Sequence, residues 1–345
     1  MNTKGFVGSY TKKDGKGIYK FEINEKDQSI EMVDVGYEIE ASTYLTQHEQ
    51  YLYAITRDGD DCGVAAFTIN EDGSLTYINE CLASQEGTGC HISVSKDGEY
   101  LFEAVYGAGL VRLYKRNIDN GELVELIDTY RGEGHGPNEA RQEGSHIHFA
   151  QQTPDLDFLV TVDLGADVIR TFKYSDEGLA LYETLELHAG SGPRHLVFHP
   201  NGDYAYVVNE LSNTIQVLSY NNGVFAQISP TLMTIREDFD LNSQVGAVRL
   251  SHDGQFIYVS NRGNNSIAVF KVLGDGANIE TVEIISSGGT WPRDLNITPS
   301  DSYLVCAHEH SYNLVLFSRN KETGQLTEVE NDKKAAEGVC VQFIE

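Results

Sequence analysis

Two stretches of the sequence share one pattern and decide the fold: residues 196–210, LVFHPNGDYAYVVNE, and residues 248–262, VRLSHDGQFIYVSNR. In each stretch a short apolar segment leads through an Asn-Gly or Asp-Gly pair into a second segment rich in tyrosine, valine and phenylalanine. Alternating apolar residues with β-branched or aromatic side chains are typical of strands, and both dipeptides are typical of tight turns. Each stretch therefore predicts a β-hairpin.

This hairpin pattern recurs along the whole chain. Seven units of about 49 residues fill the 345 residues, and repeats of about 40–50 residues with four strands each are typical of a β-propeller. The sequence therefore predicts an all-β fold, a seven-bladed β-propeller that forms a single domain over residues 1–345. Besides the two stretches above, copies surround Tyr51, Gly98, Asp155 and Asp301, and a partial copy stands at the N-terminus.

The two ends of the chain look like halves of one hairpin. Residues 338–344, GVCVQFI, resemble a first strand with no second strand after it, and residues 4–10, KGFVGSY, resemble a second strand with no first strand before it. Pairing them would remove an open sheet edge. We therefore expect the N- and C-terminal strands to close the ring within one blade.

Composition and charge exclude several classes of function. With 25 Lys and Arg against 52 Asp and Glu the net charge is −27, which predicts no nucleic-acid partner and no anionic membrane partner. No stretch approaches the roughly 18 apolar residues of a membrane-spanning helix, and the first thirty residues hold no apolar leader. The five cysteines form no CxxC pair. We expect a folded cytoplasmic protein with reduced thiols.

Aligning the copies on their turns places polar residues at equivalent strand ends. Because a hairpin puts the start of its first strand beside the end of its second, these residues should line one rim. In so acidic a chain, arginines grouped there predict a planar or anionic ligand; the alternative is that they pair with neighbouring carboxylates. The rim residues include Tyr10, Arg57, Cys90, Tyr106, His148, Arg194, Asn209, Glu210, Gly246, Arg262, Arg293, His308 and Glu309.

Two further features are candidates for function. The glycine-rich loop 132–144, which contains Arg141, either folds over the rim or is a plain connector. His146 and His148 alternate on one strand face, but no carboxylate stands at a recognisable ligand spacing, so we expect no metal site. The sequence also shows no Ser-His-Asp pattern and no nucleophile elbow, which disfavours a covalent route.

At residues 190–200, GSGPRHLVFHP, running into 206–211, the chain resembles the signature blade of the propeller-type lactonases. These are the seven-bladed bacterial 6-phosphogluconolactonases and the related fungal carboxy-muconate cyclases. The resemblance covers nearly the whole chain. Further matching motifs are residues 134–138, 141–142, 146–148, 163–165, 261–262 and 291–293.

The resemblance implies hydrolysis of a sugar lactone, most specifically 6-phosphogluconolactone to 6-phosphogluconate, without a cofactor. It also implies a catalytic centre of His148, Arg194, Glu210 and Arg262. The turn after His148, residues 152–157, departs from the usual Pro-Asp-Gly form, which leaves the choice between His146 and His148 open. Candidate contacts for the small-molecule lactone are His146, His195, Asn209, Arg293, Arg57 and Arg141.

For such a centre we expect Glu210 or His148 to act as general base and then acid, and Arg194 and Arg262 to stabilise the oxyanion. All four side chains should converge on one mouth of the propeller. Because a fold does not by itself give a function, three alternatives stay open. They are a non-catalytic propeller that binds a small ligand or a protein, a metal-dependent gluconolactonase and a muconate-type cyclase.

Overall fold

The computed structural model of the chain describes residues 2–83 and 86–344, and this part is built almost entirely of strands with one short 3-10 helix, Tyr106–Ala108. No helix in it is long and apolar enough to cross a membrane. In chain order the strands are β1 (Asn2–Ser9), β2 (Gly17–Asn24), β3 (Ser29–Glu38), β4 (Leu45–His48), β5 (Tyr51–Asp58), β6 (Asp61–Ile69), β7 (Leu75–Ala83), β8 (His91–Val94), β9 (Tyr100–Val105), β10 (Leu110–Arg116), β11 (Leu123–Arg131), β12 (Ile147–Gln152), β13 (Leu159–Asp163), β14 (Val168–Ser175), β15 (Gly178–Glu186), β16 (Pro193–Phe198), β17 (Tyr204–Asn209), β18 (Thr214–Asn221), β19 (Val224–Gln227), β20 (Leu232–Met233), β21 (Gln244–Leu250), β22 (Phe256–Arg262), β23 (Ser266–Leu273), β24 (Asn278–Ser286), β25 (Pro292–Ile297), β26 (Tyr303–His308), β27 (Asn313–Arg319), β28 (Leu326–Lys334) and β29 (Gly338–Phe343).

The strands of the described residues form seven sheets. Five of them take four consecutive strands, in the orders β4-β5-β6-β7, β8-β9-β10-β11, β12-β13-β14-β15, β21-β22-β23-β24 and β25-β26-β27-β28. A sixth has the order β16-β17-β18-β19, with β20 paired to β18. The seventh has the order β29-β1-β2-β3. This confirms the predicted all-β fold class with seven blades.

The seventh sheet joins the two ends of the chain. Strands β1 and β29 pair antiparallel, with Gly5 opposite Phe343 and Gly8 opposite Cys340. The prediction that the N- and C-terminal strands share one blade is confirmed. Both strands contribute apolar side chains such as Val7 and Val341 to one buried cluster, so the pairing is stabilised by packing as well as by its ladder.

The turns between first and second strands follow the sequence pattern. Gly202 and Gly254 have φ of 79° and 72°, in the left-handed region that glycine enters without steric penalty. In the turn after His148, Leu156 takes the same conformation with φ of 67°. The unusual residues 152–157 therefore keep the turn conformation of the other copies.

Neighbouring sheets are joined by a contact that recurs in several repeats. The hydroxyl of buried Tyr206 in β17 donates to the carbonyl of Gly276, which lies in the β23–β24 turn, at 2.9 Å. Tyr258 in β22 donates in the same way to Gly324, at 2.8 Å, in the β27–β28 turn. A buried tyrosine usually requires such a partner for its hydroxyl. The tyrosines that mark the repeats in the sequence thus tie one sheet to the next.

By contacts the chain divides into two compact units, which we describe separately. Unit 1 comprises residues 1–38, 195–219 and 227–345, and unit 2 comprises residues 39–194 and 220–226. The core of unit 1 includes Phe21 and Tyr258, and the core of unit 2 includes Tyr114 and Phe172. The prediction of a single domain over residues 1–345 stays a prediction.

Candidate active site

Irregularities in the first strands mark the predicted rim. In β12 the register shifts between Ile147 and Phe149, on either side of His148. In β25 it shifts between Pro292 and Asp294, on either side of Arg293, and β21 shows the same shift around Gly246. A β-bulge inserts an extra residue and changes the direction of a side chain, and bulges are frequent beside active sites. His148 and Arg293 thus occupy equivalent bulge positions.

In unit 1 a buried ion pair lies at the ends of two second strands. Arg262 ends β22, and Glu210 directly follows β17. The two side chains are 5% and 2% exposed, and Arg262 Nη2 lies 2.6 Å from Glu210 Oε2. The same nitrogen donates to the carbonyl of Val245 at 2.6 Å. This environment holds both charged groups in a nearly water-free place.

More charge lies next to this pair. Arg293 and Glu309 are 17% and 16% exposed, with 3.8 Å between Nη1 and Oε2. We call Glu210, Arg262, Arg293 and Glu309 the arginine–glutamate cluster. Desolvation lowers the pKa of Arg262, the Glu210 carboxylate opposes that shift, and the charge of Arg293 adds to it. Arg262 and Arg293 therefore lie close enough for their charges to interact, and each has a glutamate opposite it.

An aromatic pair flanks the cluster. The Trp291 ring lies 5.8 Å from Arg262 Cζ, and it stacks on the ring of His310 with 4.8 Å between centroids and an interplanar angle of 19°. His310 is the more exposed of the two, at 52%. Trp291 thus forms a wall between the buried arginine and the solvent-exposed histidine.

Asn209 and Asn261 precede Glu210 and Arg262 and share one role. The amide nitrogen of Asn209 donates to Thr214 Oγ1, and that of Asn261 donates to Ser266 Oγ, both at 3.0 Å. Each bond ties the end of a second strand to the start of the third. Within the described residues the buried Oδ1 atoms of both asparagines accept no hydrogen bond, so each retains an unused acceptor.

In unit 2 two histidines, His146 and His148, contact the ring of Tyr106. His146 stacks on Tyr106 with 4.4 Å between centroids, its Nδ1 lies 2.9 Å from the Tyr106 carbonyl, and its Nε2 lies 3.1 Å from Glu143 Oε1. His148 meets the Tyr106 ring edge-on at 5.5 Å, and its Nδ1 lies 3.7 Å from Cys90 Sγ. We call Cys90, Tyr106, His146 and His148 the histidine cluster. His146 has both ring nitrogens engaged by named groups.

The glycine-rich loop 132–144 is fastened at several points. Buried Gln142 donates from Nε2 to the Leu164 carbonyl at 2.9 Å, and Arg170 donates to the Glu133 carbonyl at 2.6 Å. Arg170 also bonds Asp163 at 2.7 Å, and Asp163 in turn accepts the backbone amide of His146 at 2.7 Å. The loop is therefore coupled to the strand end that carries the histidines.

The remaining predicted residues lie in different environments. Arg194 and His195, consecutive residues of β16, are 3% and 2% exposed, and consecutive strand residues face opposite sides of a sheet. Arg141 donates to the Tyr106 hydroxyl at 3.4 Å. Arg57 is 46% exposed and pairs with the still more exposed Glu40 at 3.2 Å. The meeting of His148 and Arg194 with Glu210 and Arg262 at one mouth stays a prediction.

Over residues 2–83 and 86–344 no group of three or more His, Cys, Asp or Glu side chains is arranged to hold a metal ion. The expectation of no metal site stays a prediction.

A family model described as Lactonase, 7-bladed beta-propeller matches residues 4–343. The chain belongs to this lactonase family. A Staphylococcus saprophyticus protein, itself uncharacterized, is 52% identical over 346 residues and is covered in full, as is this chain. A candidate 6-phosphogluconolactonase of Bacteroides fragilis is 28% identical with a TM-score of 0.90, covering 100% of this chain and 98% of that one. A periplasmic gluconolactonase of Pseudomonas aeruginosa is 25% identical with a TM-score of 0.93, covering 100% and 99%.

For a member of the lactonase family, the arginine–glutamate cluster offers the required chemical groups. It contains a carboxylate that can take a proton from water and guanidinium groups that can stabilise a developing oxyanion. Sequence reasoning missed the roles of Gln142 and Tyr106, although Gln142 stands in a quoted motif and Tyr106 at an aligned strand end. Their partners are backbone carbonyls and stacked rings, which no residue spacing specifies.

Proposed function

We propose that this protein hydrolyses a sugar lactone, most specifically 6-phosphogluconolactone to 6-phosphogluconate. The observation that carries the proposal is the buried Glu210–Arg262 pair with Arg293 beside it, in a chain of the lactonase family. Opening a lactone requires an activated water, stabilisation of the carbonyl oxygen as it becomes an anion, and a proton for the departing ring oxygen.

In the proposed mechanism Glu210 takes a proton from a water molecule as the water oxygen attacks the lactone carbonyl carbon. Arg262 and Arg194 stabilise the resulting oxyanion. The bond between the carbonyl carbon and the ring oxygen then breaks, and protonated His148 donates a proton to the ring oxygen, which leaves as a hydroxyl group. The proton held by Glu210 returns through water to His148, and the new carboxylic acid loses its proton to solvent. Proton transfer of this kind contributes about 10²–10⁴-fold to rate, and each oxyanion donor contributes about 10²–10³-fold.

His148 is the second titratable group of the proposal and delivers the proton to the ring oxygen. Imidazole titrates near neutral pH, which suits a group that must give up a proton and regain it in each cycle. No cofactor takes part. His146, His195, Asn209, Arg293, Arg57 and Arg141 are proposed to contact the substrate hydroxyls or its anionic group.

The comparisons support the class of substrate, since solved neighbours include a candidate 6-phosphogluconolactonase and a gluconolactonase. We place the reaction in the cytoplasm as part of the same proposal. All five cysteines are present as thiols, which suits a reducing compartment.

The test is a panel of lactones that includes 6-phosphogluconolactone, unphosphorylated gluconolactone and a muconolactone, each measured against its spontaneous opening. We expect enzyme-dependent opening of the phosphorylated sugar lactone that survives treatment with a chelator. Turnover lost on chelation and restored by a divalent ion would indicate a metal-dependent lactonase instead. Turnover of the muconolactone alone would indicate a cyclase. No turnover of any lactone would overturn the proposal in favour of a binding protein.

A further inference from the structure

The residue before the proline that starts a first strand is glycine in one repeat and tryptophan in another. Residues 190–194 read GSGPR and residues 289–293 read GTWPR, so Gly192 and Trp291 occupy equivalent places. Both have a left-handed backbone, with φ of 59° and 66°. The bulky tryptophan thus takes a backbone conformation that suits the glycine of the other repeat.

This conformation is strained for tryptophan, because a residue with a Cβ is disfavoured in the left-handed region and a following proline restricts the backbone further. Hydrogen bonds hold it on both sides. The Trp291 amide donates to Asn265 Oδ1 at 2.8 Å, and its carbonyl accepts the Glu309 amide at 3.1 Å. Gly192 has the matching bond from its amide to Asp167 Oδ1, at 2.7 Å. The fold therefore imposes this turn whichever residue occupies it, and tryptophan adds strain that glycine avoids.

The Trp291 ring contacts the buried cation of the arginine–glutamate cluster. Arg262 Cζ lies 5.8 Å from the ring centroid, within the range of a cation–π interaction. Arg262 uses Nη2 for both Glu210 and the Val245 carbonyl, whereas its buried Nε has no hydrogen-bond acceptor in the part of the chain that the structure describes. The aromatic face therefore stabilises a guanidinium that its hydrogen bonds satisfy only in part.

We propose that Trp291 is a positioning residue, whose ring holds the Arg262 guanidinium in the orientation that stabilises the oxyanion. This inference rests on the proposed function, in which Arg262 has that role. An oxyanion donor is most effective when it is oriented and desolvated in advance, because nothing then has to reorganise as charge develops. Strained residues cluster at active sites where such orientation is part of the mechanism. In this role Trp291 acts through Arg262 and is not itself catalytic.

The experiment compares Trp291→Gly, Trp291→Ala and Trp291→Phe with the wild-type protein, on the lactone of the panel that the wild type opens fastest. Without a ring, kcat should fall about tenfold while KM changes less than about threefold, because the interaction lost acts in the transition state. Trp291→Phe keeps an aromatic face and should recover most of that loss. Trp291→Gly should melt at or above the temperature of Trp291→Ala, since glycine relieves the strain.

Tyr312→Gly is the matched control. Tyr312 is another half-buried aromatic residue with a left-handed backbone, at φ of 64°. Its amide donates to the His308 carbonyl at 3.1 Å, and its carbonyl accepts the Ala335 amide at 2.8 Å. Its hydroxyl donates to the exposed Asp14 at 3.2 Å. Removing this side chain relieves a similar strain away from Arg262, so kcat and KM should stay unchanged.

Fluorescence tests the contact without turnover, because Trp291 is the only tryptophan of the chain. Arg262→Lys removes the guanidinium beside the ring and should shift the emission maximum. Arg319→Lys should not shift it, since Arg319 is a buried arginine that lies over the rings of Phe256 and Tyr258 instead.

Three results would overturn this inference alone while the wild type remains active. They are an unchanged kcat in Trp291→Gly, no recovery in Trp291→Phe, and an emission maximum that is indifferent to Arg262→Lys. A wild-type protein that opens no lactone would overturn the proposed function and this role with it.

Discussion

The arginine–glutamate cluster and the histidine cluster are both buried, but they satisfy their polar groups differently. In the first, Arg262 and Glu210 neutralise each other at 2.6 Å with almost no exposure to water. In the second, His146 is held by stacking on Tyr106, by a backbone carbonyl and by Glu143. One cluster is a buried ion pair, and the other is a set of rings oriented by their surroundings.

Because of this difference, function and stability should be coupled in one cluster and separable in the other. Removing one member of a buried ion pair leaves the other charged and desolvated, which destabilises a protein by about 3–5 kcal/mol. An imidazole replaced by a neutral side chain leaves no uncompensated charge. Substitutions in the arginine–glutamate cluster should therefore change both catalysis and stability, and substitutions in the histidine cluster should mainly change catalysis or substrate binding.

Glu210→Gln should have the largest effect, a fall in kcat of about 10²–10⁴-fold, because the amide keeps the shape but cannot take a proton from water. It should also lower the melting temperature, since Arg262 loses its counter-charge. Steady-state kinetics and thermal unfolding of the same preparation separate the two effects.

The matched control for this substitution is Asp301→Asn. Asp301 Oδ2 pairs with buried Arg319 Nη1 at 2.8 Å in the β25–β26 turn, and asparagine tolerates its φ of 60°. It should lower stability and leave kcat intact. If Glu210→Gln and Asp301→Asn were equally active, Glu210 would be a structural counter-charge and not the base.

Arg262→Lys should have the next largest effect, a loss in kcat/KM of about 10²-fold, because lysine keeps the charge but loses the planar guanidinium, whose Nη2 contacts both Glu210 and the Val245 carbonyl. Arg319→Lys is the comparison, since Arg319 donates to the Tyr258 hydroxyl at 2.6 Å and to the Asp301 carbonyl at 2.9 Å. That variant should unfold at lower temperature with unchanged kcat/KM. A fully active Arg262→Lys protein would argue against an oxyanion role.

Much of the fold could be predicted because its determinants are local. The Asn-Gly and Asp-Gly turns and the tyrosine-rich second strands define each hairpin within about fifteen residues, and the two unpaired terminal strands required each other. Aligning these repeats also predicted that Glu210, Arg262 and Arg293 stand at strand ends. Arg57 shows the limit of aligning the repeats, because it stands at an aligned strand end and yet forms a surface ion pair with Glu40.

Other features depend on contacts that no local pattern contains. The bulges at His148 and Arg293 arise from the hydrogen-bond register between strands, and no sequence period marks them. The loop after β1 is likewise held by a distant residue, since Glu337 accepts the amide of Lys13 from 324 positions away in the sequence.

The histidine cluster gives the third prediction, which decides between its two histidines. His148→Gln should lower kcat about 10- to 100-fold with little change in melting temperature, because the proposed acid is lost without exposing a buried charge. His146→Gln should mainly raise KM, since both ring nitrogens of His146 hold Tyr106 and the end of the loop 132–144. Should His146→Gln lower kcat more than His148→Gln, the two roles would have to be exchanged.

The smallest expected effect is on the free energy of unfolding. It concerns a third histidine, His308, which lies next to the arginine–glutamate cluster. His308 ends β26 at the position that Asn209 and Asn261 occupy in β17 and β22. It is fully buried, with Nδ1 3.1 Å from the Asn313 carbonyl and Nε2 3.1 Å from Ser287 Oγ. Burial lowers its pKa to about 4 from an ordinary value of 6.5. The ring is therefore neutral in the folded protein at any pH well above 4.

Because the unfolded chain binds this proton more readily than the folded protein does, stability is retained above pH 6.5 and is lost as the pH falls toward 4. Between pH 7.5 and pH 5 the histidine should lower the free energy of unfolding by about 2 kcal/mol. His308→Asn gives the strand end the residue type of its two counterparts and removes the titration. Denaturant unfolding of both proteins at the two pH values measures the difference, and an identical loss in wild type and variant would show that other groups cause the acid sensitivity.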